Sequence, residues 1–140
     1  MKKIVITGGL GYIGTELCKI YSGYSWNDQI IVIDNRFISE RVNQLRNWNI
    51  DYFYGDILDK VFIQKHLKDA DVVHHLAGIT DVPRTKSESS KEIDEKINLV
   101  AEKGTQNILD TISEKCKIIF PSTHVVYEGF DHAKIDIKEE

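Results

Sequence analysis

The sequence predicts an α/β domain built on a doubly wound parallel sheet of about five strands. Short apolar runs alternate with longer stretches of helical periodicity along the chain. The apolar runs are continuous rather than interleaved with polar residues, which is typical of parallel strands covered on both faces. No hairpin turn joins one run to the next, so each connection has to cross the sheet through a helix. The chain has 140 residues, the size of one domain.

The first part of the chain has the order strand, helix, strand. Residues 2–6 and residues 29–33 are the two apolar strands. A helix should begin between them near Tyr12, because the apolar residues that follow recur at helical spacing. These residues are Ile13, Leu17, Ile20 and Tyr21. Gly23 lies where the C-terminal glycine of that helix is expected.

The same alternation continues to the end of the domain. Residues 39–48 carry a weak helical pattern, and a further helix should begin near Leu58. Either Asp56 or Asp59 lies close to the N-terminus of that helix, where a carboxylate suits the helix dipole. The three later apolar runs predict strands over residues 50–54, 70–76 and 117–120.

The clearest helical pattern lies before the last strand, where seven residues recur with the period of one helix face. They are Ile93, Ile97, Val100, Ala101, Gly104, Ile108 and Ile112. We expect one domain over residues 1–128. The polar residues 129–140 have the character of an unfinished connection, the start of a missing continuation.

Composition and charge exclude several classes of protein. The chain is 41% hydrophobic and 29% charged with two prolines, which favours a folded chain over a disordered one. Its 18 basic and 22 acidic residues give a net charge of −4 with no basic stretch, which argues against nucleic acid and membranes as partners. The longest aliphatic run, residues 30–33, is too short for a membrane span or signal peptide, so we expect a cytoplasmic protein. Cys18 and Cys116 have no metal or redox spacing, so we expect reduced, core-facing thiols and no metal.

The strongest functional signal is a glycine pattern between the first strand and the first helix. Gly8, Gly11 and Gly14 have the spacing G-x-x-G-x-x-G. Glycine allows a tight turn and lets the backbone approach a pyrophosphate, and the helix N-terminus offers free N–H groups to that anion. The alternative is a glycine-rich turn that binds no ligand.

An aspartate at the end of the second strand fits a dinucleotide site. Asp34 lies 20 residues after Gly14, the distance typical of a carboxylate that accepts hydrogen bonds from the adenosine ribose. Its charge would repel a 2′-phosphate, which favours NAD over NADP. Arg36 could soften this preference with a counter-charge. The alternative is that Asp34 only starts a turn.

A second aspartate follows the third strand. Asp56 could accept a hydrogen bond from the adenine amino group while the Ile57 N–H meets the ring. Asp56 could equally be a helix N-cap, and the two roles are compatible.

These motifs occur in an order that resembles a known superfamily. The set is Thr7-Gly8-Gly9-x-Gly11-Tyr12-Ile13-Gly14, Asp34-Asn35, Gly55-Asp56-Ile57, His75-Leu76-Ala77-Gly78 and Ser122-Thr123-x-x-Val126-Tyr127. It resembles the extended short-chain dehydrogenases/reductases, with their Rossmann-type NAD(P)-binding domain. Within them it is most similar to the NAD-dependent sugar-nucleotide epimerases and dehydratases. The resemblance runs from Met1 to about Tyr127.

The resemblance implies a role for each motif in binding NAD. Tyr12 and Ile13 would contact the pyrophosphate. Residues 34–39, with Asp34, Asn35 and Arg36, would hold the ribose, and Asp56 with Ile57 the adenine. The stretch after the fourth strand would line the dinucleotide through Leu76, Ala77, Gly78 and Thr80.

The resemblance also implies catalytic residues. Thr123 falls on the family's catalytic serine or threonine, whose hydroxyl hydrogen-bonds the substrate's C4 oxygen, and Ser122 is the next candidate. His74 and His75 end a buried strand and match no catalytic base of the family. We expect them to be structural histidines with satisfied hydrogen bonds.

Two features depart from the family pattern. The family has Asn-x-x-Gly-Thr in the helix after strand four, whereas Asn98 precedes Gly104 by three residues too many. Three residues amount to about 300° and 4.5 Å along a helix, so Asn98 would reach the cofactor only if the helix is shifted. The family's Tyr-x-x-x-Lys is missing, since none of the six tyrosines has a lysine four positions later.

The sequence is therefore similar to the N-terminal, cofactor-binding part of a longer enzyme, catalytically incomplete as given. The enzyme implied is an NAD-dependent epimerase or dehydratase that removes and returns a hydride at C4 of a nucleotide sugar, with a homodimer as a possible assembly. His124-Val125 after the catalytic threonine, in place of Asp-Glu, favours an epimerase or general oxidoreductase over a dehydratase. One alternative is a non-catalytic NAD-binding sensor or interaction module. Another is a domain that binds a different phosphate ligand, against which Asp34 argues.

Overall fold

The fold is a single five-stranded parallel sheet with helices on both faces. The computed structural model describes residues 1–24, 27–79 and 91–122. The strands are β1 (Lys3–Thr7), β2 (Gln29–Asp34), β3 (Asp51–Tyr54), β4 (Val72–His75) and β5 (Lys117–Ile119). All neighbouring pairs are parallel, in the order β3-β2-β1-β4-β5. The predicted doubly wound sheet of five strands is confirmed.

The strand order creates a switch point at the centre of the sheet. The chain begins at β1, moves outward through β2 to β3, and returns to the other side of β1 with β4. Thr7, the last residue of β1, pairs with Ile33 on one side and with His75 on the other. In open α/β sheets, ligands bind outside the carboxyl ends of the strands at such a point. The loops that follow β1, β2, β3 and β4 are therefore the place to look for a site.

The helices lie where periodicity predicts them, with one difference. They are α1 (Tyr12–Ser22), α2 (Ser39–Asn47), α3 (Lys60–Leu67), α4 (Lys91–Leu99) and α5 (Thr105–Leu109). The long helix predicted before β5 is interrupted, because a π-helical turn over Val100–Gly104 separates α4 from α5. A Cβ on Gly104 would lie 2.4 Å from Cδ1 of Ile57, so the end of this turn packs directly on the loop after β3.

The alternation of side chains along the strands divides the core into two layers. Val5 belongs to a cluster that contains residues of α3 and α5, whereas its neighbour Ile6 belongs to a cluster that contains residues of α1 and α2. Both faces of β1 and β2 are buried, which explains their continuous apolar sequences.

Both cysteines carry free thiols. Cys18 is fully buried in the α1 layer, and burial raises its pKa to about 12. Cys116 is half-buried and packs against the other layer. The prediction of core-facing thiols agrees with these positions. Within the described ranges there is no group of three metal-ligating side chains, and no helix long and apolar enough to cross a membrane.

Candidate functional site

The glycine turn after β1 is fixed by close packing. Gly8 has a φ of +71°, and its N–H donates to the Ile33 carbonyl at 2.7 Å. A Cβ on Gly8 would lie 2.7 Å from Cα of Ala77, and one on Gly14 would lie 2.6 Å from Cα of Gly9. Both distances are too short for any side chain. Gly8 therefore brings the turn against the loop after β4, and Gly14 brings α1 against the turn.

Gly11 differs from the other two, because a Cβ there would be tight against one backbone oxygen but not blocked by a neighbouring segment. It is the N-cap of α1 with an ordinary extended backbone, and a Cβ there would meet Gly8 O at 3.1 Å and Arg36 at 3.9 Å. No side chain caps α1, and its first turn carries no acidic residue. The first N–H groups of the helix are thus left for an outside acceptor, and the helix dipole favours an anion.

Two arginines, Arg36 and Arg41, add positive charge around this helix end. The Arg41 guanidinium lies 5.0 Å from the centre of the Tyr12 ring and donates to the Leu10 carbonyl. Tyr12 and Ile13 are exposed, at 85% and 69%. Side chains of this size in the first turn of α1 are available to a ligand that binds there.

Asp34 is buried and ties the glycine turn to the end of β2. Its Oδ2 accepts from the Leu10 N–H at 3.0 Å, and its Oδ1 accepts from the N–H and Nε of Arg36 at 3.0 and 3.3 Å. Asp34 therefore does start a turn, because its side chain accepts from the backbone N–H two residues later. A carboxylate has about four lone-pair positions, so three donors leave capacity for one more.

The loop after β3 is held by a second aspartate. Oδ1 of Asp56 accepts from the Leu58 N–H at 2.9 Å, and Oδ2 accepts from Nδ2 of Asn35 at 3.0 Å. The N-cap of α3 is Asp59, whose Oδ1 accepts from the Phe62 N–H. The capping role considered for Asp56 is thus taken by Asp59. Asp56 instead shapes its own loop and joins it to β2.

The loop after β4 rests on β1. The Leu76 N–H donates to the Thr7 carbonyl at 3.0 Å, and the Ala77 N–H donates to Thr7 Oγ1 at 3.3 Å. Leu76 and Ala77 are half-buried and Gly78 is exposed. Thr80, predicted to belong to the same stretch, lies outside the described residues.

His75 joins three elements beneath this loop. Nδ1 lies 2.8 Å from Thr7 Oγ1, and Nε2 lies 3.0 Å from Thr105 Oγ1 at the start of α5. Burial lowers the pKa of His75 to about 4, so the ring is neutral near pH 7. Nε2 of His74 lies 2.7 Å from the Tyr21 hydroxyl, and burial lowers the pKa of His74 as well. Both histidines are buried and hydrogen-bonded, as expected for structural residues.

Asn107 is a residue of the site that the sequence analysis missed. It is fully buried in α5, and Nδ2 donates to the carbonyls of Ile57 and Leu58 at 3.0 and 3.2 Å. The available signal was its position, because Gly104, Asn107 and Ile108 have the spacing of one buried helix face. A polar residue on such a face requires a buried partner.

The structure therefore brings most of the predicted cofactor residues to one edge of the sheet. They lie at the end of β2, in the four loops after β1 to β4 or in the first turn of α1, and are Gly8, Gly11, Tyr12, Ile13, Gly14, Asp34, Asn35, Arg36, Asp56, Ile57, Leu76, Ala77 and Gly78. Asn98 is exposed on α4, before the π-helical turn. Ser122 is exposed beyond β5, and Thr123 lies outside the described residues. Their roles stay predictions.

Comparison with known proteins agrees with this architecture. The chain is 31% identical over 135 residues to dTDP-D-glucose 4,6-dehydratase of Dictyostelium discoideum, covering 91% of this chain and 30% of that protein. It is 30% identical over 132 residues to UDP-glucose 4-epimerase of Mycoplasma genitalium, covering 89% and 37%. The chain thus spans about a third of the length of these relatives.

A solved structure gives the same result. The crystal structure of UDP-glucose 4-epimerase from Brucella ovis in complex with NAD superposes with a TM-score of 0.70 at 26% identity, covering 91% of this chain and 38% of that one. NAD in that structure agrees with the cofactor expected from the sequence. The model of the 3-beta hydroxysteroid dehydrogenase/isomerase family matches residues 5–139, nearly the whole chain. The chain therefore belongs to the 3-beta hydroxysteroid dehydrogenase/isomerase family, and with it to the extended short-chain dehydrogenases/reductases that its motifs resemble.

Proposed function

We propose that this chain is the NAD-binding part of an NAD-dependent epimerase or dehydratase that acts on a nucleotide-linked sugar. The observation that carries the proposal is the pairing of an uncapped helix N-terminus at Gly11 with the buried carboxylate of Asp34. The relatives that match nearly all of this chain are sugar-nucleotide enzymes, and the Brucella ovis structure contains NAD.

The residues present fit a dinucleotide. The uncapped N-terminus of α1 at Gly11 leaves backbone N–H groups for the pyrophosphate, and the close packing at Gly8 and Gly14 holds the turn in place around it. Asp34 keeps one lone-pair position for a ribose hydroxyl. Asp56 and the Ile57 N–H provide an acceptor and a donor side by side, the pair that adenine N6 and N1 require.

The charges around Asp34 favour NAD over NADP. A buried carboxylate next to a 2′-phosphate would be a like-charge pair in a region of low dielectric. Arg36 pairs with Asp34 at 3.3 Å while its side chain is 57% exposed. We propose that Arg36 reduces the preference for NAD without reversing it.

Bound NAD would supply the hydride acceptor, taking a hydride from the sugar and returning it to the same substrate. The chain's own contribution to this chemistry is to bind and orient. We propose that Thr123, with Ser122 as the next candidate, donates a hydrogen bond to the substrate's C4 oxygen. A threonine hydroxyl is hardly ionised near neutral pH without a base beside it, so these residues cannot remove the proton themselves. The 140 residues contain no Tyr-x-x-x-Lys to do so.

A second candidate function is a non-catalytic NAD-binding module with the same cradle. It would use the same uncapped helix N-terminus and the same Asp34 carboxylate, and would differ from the enzyme only in having no catalytic base. The nucleotide sequence after codon 140 discriminates between the two candidates. A Tyr-x-x-x-Lys encoded within the next few dozen codons supports the enzyme, whereas a natural stop codon supports the binding module.

Calorimetric titration and a turnover assay test the proposal together. We expect the 140-residue chain to bind NAD and to convert no UDP- or dTDP-hexose, because a positioned base contributes about 10²–10⁴-fold to rate. Reduced nicotinamide is followed by absorbance and sugar products by NMR. Failure to bind NAD contradicts the proposed site. Sustained turnover by the purified chain contradicts the assignment of the base to a Tyr-x-x-x-Lys.

A further inference from the structure

Helix α5 holds the loop after β3 from beneath through one side chain. Asn107 donates both of its side-chain N–H bonds, one to the Ile57 carbonyl at 3.0 Å and one to the Leu58 carbonyl at 3.2 Å. These residues are 50 and 49 positions apart in the chain. Two adjacent backbone carbonyls of the loop are thus anchored to a single buried nitrogen atom.

The chemistry of this contact requires an amide. Two carbonyl acceptors need two N–H bonds from one atom, which only Asn and Gln can provide without a charge. Leucine would leave both carbonyls unpaired in the core, and aspartate would place an acceptor against two acceptors. The two carbonyls also fix which end of the Asn107 amide is nitrogen.

The same amide leaves its other end unused. Oδ1 of Asn107 is buried and has no hydrogen-bond partner among the described residues. An unpaired buried carbonyl is destabilising, so an asparagine is a costly way of stabilising the fold alone. A buried polar group that is only partly satisfied points to a requirement other than stability, here the position of the loop.

Two further contacts also fix the position of the loop after β3. Gly104, one turn before Asn107, allows α5 to approach Ile57 so closely that no side chain fits between them. Asp56 is held by the Leu58 N–H and by Asn35. Asn107 therefore fixes the Ile57–Leu58 peptide unit, whose N–H orients the Asp56 carboxylate and which directly follows the peptide unit that carries the Ile57 N–H.

We propose that Asn107 is a positioning residue for adenine recognition, setting the donor of Ile57 and the acceptor of Asp56 at the spacing that an adenine edge needs. The proposal rests on the proposed NAD site and adds to it the element that determines base specificity. It does not require Asn107 to touch the cofactor.

Nicotinamide hypoxanthine dinucleotide is the probe, because it differs from NAD only at this edge. Hypoxanthine carries a carbonyl where adenine has the amino group, and an N1–H where adenine has a lone pair. The analogue would place an acceptor against Asp56 and a donor against the Ile57 N–H. One lost hydrogen bond to a charged group corresponds to about ten- to hundredfold in affinity, so the unmutated chain should prefer NAD by about tenfold or more.

The test compares this ratio of affinities in two variants and two controls. Asn107→Asp and Asn107→Ser should bring the ratio close to one, because the loop is no longer held. Ile108→Val removes a methyl group from the same buried face, and Gln106→Ala changes an exposed residue of the same helix. Both controls should keep the ratio of the unmutated chain, even where Ile108→Val lowers the melting temperature.

A measurement on the unmutated chain accompanies the variants. The side-chain amide signals of Asn107 should shift on saturation with NAD, and shift less with the hypoxanthine analogue, since only NAD engages the loop fully. Folded Asn107 variants that keep the preference contradict the proposal, and so do unchanged amide signals if the variants fail to fold. An unmutated chain that binds NAD without preference also overturns it. An unmutated chain that does not bind NAD contradicts the proposed function instead.

Discussion

Nδ1 of His75 lies 2.8 Å from Oγ1 of Thr7, so a side-chain hydrogen bond joins the last residues of the neighbouring strands β4 and β1. The other ring nitrogen reaches Thr105, and Thr7 Oγ1 accepts from the Ala77 N–H. The ring thereby connects β1, β4, α5 and the loop after β4. Burial keeps the His75 ring neutral, so protonation of the ring at low pH would disturb these hydrogen bonds.

The first prediction concerns acid stability. Burial lowers the pKa of His75 from 6.5 to about 4, so below pH 6.5 the unfolded chain takes up a proton that the folded chain does not. The free energy of unfolding should therefore fall by roughly 2–3 kcal/mol between pH 7 and pH 4 on account of this residue. Urea unfolding of the unmutated chain and of His75→Asn at several pH values measures it. An equally steep fall in both proteins contradicts the role of His75.

The second prediction compares two glycines in the loops of the site. Gly8→Ala should destabilise the chain by about 2–4 kcal/mol, because its φ of +71° is unfavourable for alanine and the new Cβ would lie 2.7 Å from Ala77. Gly78→Ala should change the stability by less than about 0.5 kcal/mol, since nothing lies within 4 Å of its Cβ position. Chemical unfolding measures both. Similar losses for the two variants would contradict the packing described for Gly8.

The third prediction separates binding from folding at the two ends of α1. Gly11→Val should abolish NAD binding and leave the sheet folded, because the extended backbone at Gly11 suits valine and the side chain would occupy the place of the pyrophosphate. Gly23→Ala is the matched control, since Gly23 has an ordinary φ of −78° and room for a methyl group. Circular dichroism and calorimetry distinguish the outcomes. Normal NAD binding by folded Gly11→Val means that the turn is not the site.

The fourth prediction concerns the choice between NAD and NADP. Removing the carboxylate with Asp34→Ala should weaken the binding of NAD. It should also reduce the difference in binding free energy between NAD and NADP by about 1–3 kcal/mol. Asp34→Asn is the cleaner variant, because an amide oxygen can still accept from the buried Leu10 N–H. Arg36→Ala should act in the opposite direction and widen the preference for NAD. Equal affinities of the unmutated chain for both cofactors, measured by calorimetry, would contradict the role of Asp34.

The sequence predicted the strands and their parallel arrangement because burial on both faces leaves a direct mark on composition. In a folded chain without hairpin turns, a continuous apolar run such as 30–33 is typical of a strand that is covered on both sides. The glycine spacing and Asp34 predicted the site for a similar reason, since each depends on local geometry at the end of a strand. Periodicity could not reveal the π-helical turn over Val100–Gly104, because the apolar residues on either side of it still recur at nearly helical spacing.

What only the tertiary structure decided are the contacts between distant segments. From the sequence Asp56 and Asp59 are equally suitable N-caps. In the structure Asp59 caps the helix, while Asp56 accepts from Asn35 in the loop after β2. In the sequence Asn107 is one of three polar residues at the start of α5, and only the fold places it under Ile57, 50 residues away. The sequence by itself determined the elements and the edge of the sheet where the site lies, since these follow from local patterns of burial and turn geometry. The tertiary structure decided which side chains hold the loops of that site, because hydrogen-bond partners depend on distances that the chain acquires only when it packs.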